Sequence, residues 1–213
     1  MLTNQRAYKS GLDDLRLACE AFIDRLKYSE RRAAIGDLLE EVDTRNTDGK
    51  IDKAHGINIA KQFMLSVASS SDLLKYKVVK KGQFAYSSMQ TGRDKSIRIA
   101  LFQGNSPIAV SPAYSVLRRK TDEVVEEYVQ MWFSRGESDR LGWFMSDSSV
   151  RANLDLSRFY EIEIPLPNIE TQESLVKIYN SYITRQEIYE KLKTQIKDIC
   201  PILIKGSLEE ARA

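Results

Sequence analysis

The sequence predicts an α+β (mixed α/β) globular domain built on a small mixed or antiparallel sheet, followed by a long helix of coiled-coil type. Three observations predict it. Beyond Pro165-Leu166-Pro167, apolar or aromatic residues fall at Leu175, Ile178, Tyr182, Tyr189, Leu192, Ile196, Ile199 and Leu203, with Arg185 in one intervening seam position. Steps of three and four make a heptad seam, a narrow stripe that asks for another helix rather than for a broad globular face. Between residues 75 and 117, short β-type runs are separated by Gly82, Gly92, Gly104-Asn105 and Pro112, the punctuation of a sheet. From Thr121, the residues Val124, Val125, Tyr128, Val129, Trp132 and Phe133 follow the helical period.

In chain order, Ser10 is positioned to cap a first helix over 10–28 whose apolar residues are Leu12, Leu15, Cys19, Phe22 and Leu26. Both ends of the chain thus share a period, and neither helix can bury its stripe alone. They are expected to pack on each other, within one chain or between two. A short helix is expected over 35–42, ended by a polar run with the turn signal Asp48-Gly49. Strands follow at 75–79, 83–87, 97–102, 108–111 and 113–117, then helices from Thr121 and at 138–144, and a last strand at 159–164. Asn168 caps the long helix, which at ~1.5 Å per residue extends for ~50 Å, and Pro201 is expected to kink or end it. An ordinary amphipathic helix lying on the core of its own domain is the alternative. The resulting division is 1–32 for an N-terminal pairing helix, 33–167 for the central domain and 168–213 for a helical spacer and dimerisation region.

With 213 residues the chain has room for one substantial domain and an appendage. No apolar run approaches the ~20 residues that cross a bilayer, residues 1–10 lack an apolar signal core, and Cys19 and Cys200 form no disulfide framework. A cytoplasmic location is therefore the expectation. Charge is distributed unevenly: residues 75–120 carry ten Lys or Arg against Asp94 alone, and residues 121–170 carry eleven acids against four Arg. A basic block inside a nearly neutral chain is the footprint of a surface that meets phosphates, although basic strands also serve as solvated edges.

The residues needed for catalysis are sparse. His55 stands alone in a polar loop, without a Cys or His partner at metal-ligand spacing, and an exposed loop residue is the plainer reading. Neither a phosphate-binding GxxxxGK[ST] or GxGxxG loop nor a GxSxG elbow occurs, and no Asn-Pro-Pro or Asp-Pro-Pro motif for amino-methyl transfer is present. Glu161 and Glu163 share a strand face, where a solvent-facing role is the plainer reading. No catalytic residue, metal ligand or cofactor is assigned. What a DNA reader needs is present in kind: guanidinium, ammonium and amide groups on loops and strand ends. The candidates are Arg45, Asn46, Lys80, Lys81, Tyr86, Gln90, Arg93, Lys95, Arg98, Tyr114, Arg151 and Asn153. Residues 86–95 are the strongest segment, with Gln90 suited to adenine, Arg93 to guanine or phosphate, and Gly92 to close backbone approach. A local Arg93–Asp94 pair that fixes a turn is the competing reading.

Several stretches resemble the specificity subunits of type I restriction-modification systems. They are Lys80-Lys81-Gly82-Gln83-Phe84-Ala85, Gly92-Arg93-Asp94, Ile99-Ala100-Leu101, Val110-Ser111-Pro112-Ala113-Tyr114, Ser149-Val150-Arg151-Ala152-Asn153-Leu154, and Ile162-Glu163-Ile164-Pro165-Leu166-Pro167 leading to Gln172. The resemblance implies that the central domain is a target recognition domain reading double-stranded DNA. It implies a non-catalytic chain whose helices space two such domains and dock methyltransferase (modification) subunits, with a restriction/translocase subunit joining that core. Members of that family commonly carry two recognition domains in tandem, whereas this chain has room for one, so a homodimer through the helices is the expected route to a bipartite target. A part of a single-chain DNA-modifying restriction enzyme is the alternative.

Overall fold

The structure, a computed structural model, describes residues 2–66, 73–89, 95–146 and 153–210, with the side chains of 2–6, 29 and 200–210 outside the description. The chain divides into two compact units, one formed by Leu26–Glu173 and the other by Met1–Arg25 with Ser174–Ala213. No described helix is long and apolar enough to cross a membrane.

The larger unit begins with the end of α1 (Leu2–Ser29) and continues through β1 (Arg32–Ala34), α2 (Ile35–Leu38), β2 (Leu39–Val42), β3 (Ala54–Ile57) and β4 (Phe63–Leu65). Next come β5 (Lys77–Val79), β6 (Phe84–Ser87), β7 (Arg98–Leu101), β8 (Ile108–Val110) and β9 (Tyr114–Arg119). Helices α3 (Glu126–Phe133), α4 (Gly136–Met145) and α5 (Leu156–Tyr160) lead to β10 (Glu163–Pro165) and the start of α6 (Ile169–Glu210). Two four-stranded sheets result, ordered β2-β9-β6-β7 and β4-β3-β8-β5, together with the antiparallel ribbon β1-β10. The first sheet is antiparallel throughout, and the second contains one parallel pair, β3 with β8.

The two sheets pack through small and branched residues: Ala85, Ala100 and Val116 of the first meet Ile57, Val79, Ile108 and Val110 of the second. The opposite face of the first sheet is covered by helices. Tyr86 stacks on Phe159 of α5 at 4.3 Å, and Phe159 lies 5.1 Å from Phe133 of α3. Gln130 of α3 accepts a hydrogen bond from the Leu101 N–H at 2.9 Å. Gly142 lets α4 approach the Ile97 side chain, where any Cβ would collide.

The predicted strands between residues 75 and 117 form, each within a few residues of its expected span, and the expected helices form at α3 and α4. Elsewhere the structure departs from expectation. Residues 35–42 are not one helix: α2 lasts four residues and Leu39–Val42 is a strand, because Glu40 faces Arg118 across the ladder and pairs with it at 2.7 Å. Residues 159–164 are not one strand either. Asp155 accepts from the Arg158 N–H at 2.9 Å and caps α5, so Phe159 lies in a helix and the strand starts at Glu163. His55 belongs to β3, half-buried between β4 and β8, rather than to an exposed loop.

The smaller unit is a pair of helices within one chain. α1 begins at Leu2, so Ser10 is an interior residue and not a cap. Tyr8 stacks on Tyr189 at 6.2 Å and its hydroxyl donates to the Arg185 carbonyl at 3.4 Å. Burial raises the Tyr182 phenol, whose charged neighbours include Arg16 and Glu20. Later residues of α1 thus meet earlier residues of α6, the sense of an antiparallel pair. α6 runs 42 residues and continues through Pro201, whose missing N–H costs one bond without ending the helix. Of the predicted seam, Leu175 is buried, Tyr182, Tyr189 and Ile196 are half-buried, and Ile178, Leu192 and Ile199 remain exposed.

The exit from the larger unit is held by Gln172, which is 0% exposed. Its amide nitrogen donates to Glu123 O at 2.8 Å and Pro167 O at 2.7 Å, and its oxygen accepts from the Val125 N–H at 2.9 Å. Asn168 caps α6 as expected, accepting from the Thr171 N–H at 2.9 Å. Replacing Gln172 with Ala strands three backbone groups, one buried and two partly buried, and chemical denaturation should show a loss of about 2–3 kcal/mol. Gln172→Glu should be at least as damaging at neutral pH, since it buries a charge and removes the donor.

Candidate nucleic-acid interface

Strand register sorts the candidate residues into two groups. β6 pairs with β9 so that Phe84 faces Leu117 and Ser87 faces Tyr114, and with β7 so that Ser87 faces Arg98. One pole of the sheet therefore gathers Ser87, Arg98 and Tyr114. Met89 continues from β6 into a bridge with Asn153, and the Leu154 N–H donates to Ser88 O at 2.9 Å. Arg98 donates to Ile57 O at 3.0 Å, while the Tyr114 hydroxyl accepts from the Ile57 N–H at 3.4 Å. These two bonds hold the end of β3 against the same pole. Arg45 enters from the side, bridged to Lys77, donating to Lys75 O at 2.8 Å and paired with Asp43 at 2.6 Å. That pairing holds the Asp43 carboxyl below its ordinary range. Lys95 adopts a left-handed backbone (φ 43°) and lies 4.9 Å from the Trp143 ring.

Lys80 and Lys81 belong to the opposite pole. They sit in the β5–β6 turn, closed by the Gln83 N–H donating to Lys80 O at 3.0 Å and by Gly82 at φ 80°. Lys81 shares a shallow surface there with Glu126 and Glu127. The chain's entry and exit lie at this pole too, where Lys120 N–H donates to Leu38 O and Leu166 N–H to Arg31 O. Two other candidates are core residues. Tyr86 is 1% exposed, with its hydroxyl donating to Leu154 O at 2.6 Å and its phenol raised by burial. Asn46 is buried, donating to Ile51 O at 2.8 Å and Leu73 O at 3.3 Å and accepting from the Ile51 N–H at 3.2 Å. Neither side chain has a free polar edge to offer a base; each shapes a loop instead. Gln90, Arg93 and Arg151 lie outside the described residues.

The basic block is far less basic in three dimensions. Arg118 pairs with Glu40, Lys77 with Glu41 at 3.1 Å, and Arg119 with Asp122 and Glu126 at 3.3 and 3.4 Å. Sequence reasoning also missed a buried ionic node. Lys61, in the β3–β4 turn with φ 60°, donates to Asp139 Oδ1 at 2.7 Å and to Phe133 O. The same carboxylate oxygen accepts from the Ile97 N–H at 2.9 Å and from Ser96 Oγ at 3.4 Å. Burial lowers the Lys61 ammonium's pKa, and Asp139 opposes that shift only in part. The node fixes the approach to β7 and thereby to Arg98. An isolated Lys between Ala60 and Gln62 carries no local signal of such burial.

Over residues 74–198 the sequence matches the family described as "Type I restriction modification DNA specificity domain". The chain belongs to that family. The match takes in Lys80, Lys81, Lys95, Arg98, Tyr114 and Asn153 but begins after Arg45 and Asn46. Among solved structures, the fold is similar to the HsdS subunit from Thermoanaerobacter tengcongensis, with TM-score 0.62 and 12% identity over 98% of this chain and 53% of that one. It is similar too to a chain from a study described as "Structural basis underlying complex assembly and conformational transition of the type I R-M system", with TM-score 0.52, 12% identity, and coverage of 92% and 53%. This specificity-domain chain therefore spans about half the length of both. Comparison with curated protein sequences finds no significant match.

Within this specificity domain the Lys61–Asp139 node separates packing from charge. Asp139→Ala leaves a buried ammonium facing only carbonyl oxygen, and thermal or chemical denaturation should show a loss of about 3–5 kcal/mol. The double variant Lys61→Met/Asp139→Leu should recover a substantial part of it.

Proposed function

We propose that this chain is the DNA-reading specificity subunit of a type I restriction-modification assembly, non-catalytic itself, with its reading surface at the pole of Arg98, Tyr114, Lys95, Asn153 and Arg45. Gln90, Arg93 and Arg151, adjacent to that pole in sequence, are proposed to contribute base and phosphate contacts. The family match across 74–198 carries the reading. The pole supports it through its chemistry: guanidinium, ammonium, phenol and amide groups converge on loops fixed by a rigid sheet, the equipment for groove and phosphate contacts. Lys80 and Lys81 take no part in this surface.

In the same proposal, the recognition domain spans 33–167, while residues 1–32 and 168–213 form the helical region that docks methyltransferase subunits and, through them, the restriction/translocase subunit. One domain reads one half-site. The row of exposed apolar residues on the helical pair, among them Leu17, Ile178, Ile188, Leu192 and Ile199, supports pairing of two copies. Two identical readers related by a two-fold axis require a bipartite target with symmetric halves.

Three measurements on the purified chain test this. Incubation with S-adenosylmethionine, or with magnesium and ATP, should leave duplex DNA unmodified and uncut, and turnover would favour the single-chain enzyme. Light scattering should show a dimer that Leu192→Lys converts to monomer. The same change should weaken binding to a bipartite duplex by at least about tenfold while sparing a half-site duplex. A wild-type chain that stays monomeric at every concentration, or a Leu192→Lys chain with full bipartite affinity, would contradict self-pairing.

A further inference from the structure

The larger unit also carries a groove of ≈ 390 Å³ between α4, the end of α1 and the β1-β10 ribbon. Trp132 lies at its base with the Arg135 guanidinium 4.8 Å from the ring. Four cations line it, Lys27, Arg32, Arg135 and Arg140, against two carboxylates, Glu137 and Glu163. The carboxylates are already engaged: Glu137 by Lys27 at 2.5 Å and by Arg135 at 2.7 Å, and Glu163 by Arg32 at 3.1 Å. Arg140 makes no ion pair among the described residues. Leu141 and Phe144 flank it on the same face of α4, and Phe144 is 85% exposed.

A guanidinium with no ion pair among the described residues thus lies beside an exposed phenyl ring, over a groove lined by four cations and two carboxylates. We propose that this groove docks an acidic protein segment carrying an aromatic or aliphatic anchor. The anchor packs on Phe144 and Leu141, and a flanking carboxylate takes Arg140 in a bidentate pair. A protein segment fits better than nucleic acid because the apolar residues beside Arg140 present an aliphatic and a phenyl surface, where a phosphate backbone would call for further donors. The proposal does not depend on the DNA reading proposed above.

The test is selection of displayed random peptides on the immobilised full chain, repeated on Arg140→Glu/Phe144→Ser. Both residues are exposed, so an unchanged melting temperature is expected and is checked first; Arg140→Gln with Phe144 retained serves as a second, milder variant. Peptides combining Asp or Glu with Phe, Trp or Leu should be enriched. A representative winner should bind the double variant about tenfold more weakly and Arg140→Gln by an intermediate factor, with duplex-DNA affinity unchanged in both variants. No enrichment, neutral or basic winners, or winners that bind the double variant equally well would overturn the proposal. Loss of duplex-DNA affinity in the variants would also overturn it, assigning the groove to nucleic acid.

Discussion

Strand β6 is the constraint on which the larger unit depends. Phe84, Ala85 and Tyr86 are all buried, and the strand is bonded on both edges, to β7 and to β9. Ala85, beside Val116 of its own sheet, packs with Val79 and Val110 of the second sheet, while Tyr86 stacks on Phe159 and donates to Leu154 O. A slip of one residue would drive the phenol into the small-residue layer and strand its hydroxyl. Register is therefore fixed from both faces. Once it is fixed, the poles follow: Ser87, Arg98 and Tyr114 must emerge together, and Lys80 and Lys81 must emerge at the other end.

That separation keeps the connections apart from the pole of Arg98 and Tyr114. The pole of Lys80 and Lys81 is occupied by connections, since the β1-β10 ribbon, the start of α3 and the Gln172 clamp all anchor there. The far pole is held by backbone and side-chain bonds among β3, β6, β7 and β9, and its loops are carried on that frame. The Lys61–Asp139 node serves the same end. By bonding the Ile97 N–H, Asp139 fixes the residue preceding Arg98, the guanidinium best placed to depend on that frame.

Much of the architecture was legible in the sequence because the strong signals are periodic. The strands around Gly82 and Pro112, the helix of Tyr128 and Trp132, and the long helix after Asn168 all follow from apolar spacing and breakers. Two of the misreadings share one cause, that tertiary contacts overrode short local patterns. Residues 39–42 carry a helical composition but are held as strand by Arg118 and Lys77, and His55 was placed in a loop because the parallel partner β8 lies far away in sequence. The Asp155 cap could have been read, since Asp followed by Leu-Ser-Arg is a helix start. Charge counting was the least transferable guide to the site. The basic block and its acidic neighbours come together in space, so the net sign of a segment did not give the sign of a surface. Composition alone could not separate Tyr86 and Asn46, which serve the core, from Arg98 and Tyr114, which line the pole.

We propose that this single recognition domain reads DNA sequence as one half of a symmetric pair. Selection of bound duplexes from a random pool, with the wild-type chain at two salt concentrations, tests it most directly. The account predicts enrichment of one interrupted palindrome, with affinity that falls steeply as salt rises. Recovery of unselected sequence at both salt concentrations, or enrichment of a single asymmetric half, would contradict it.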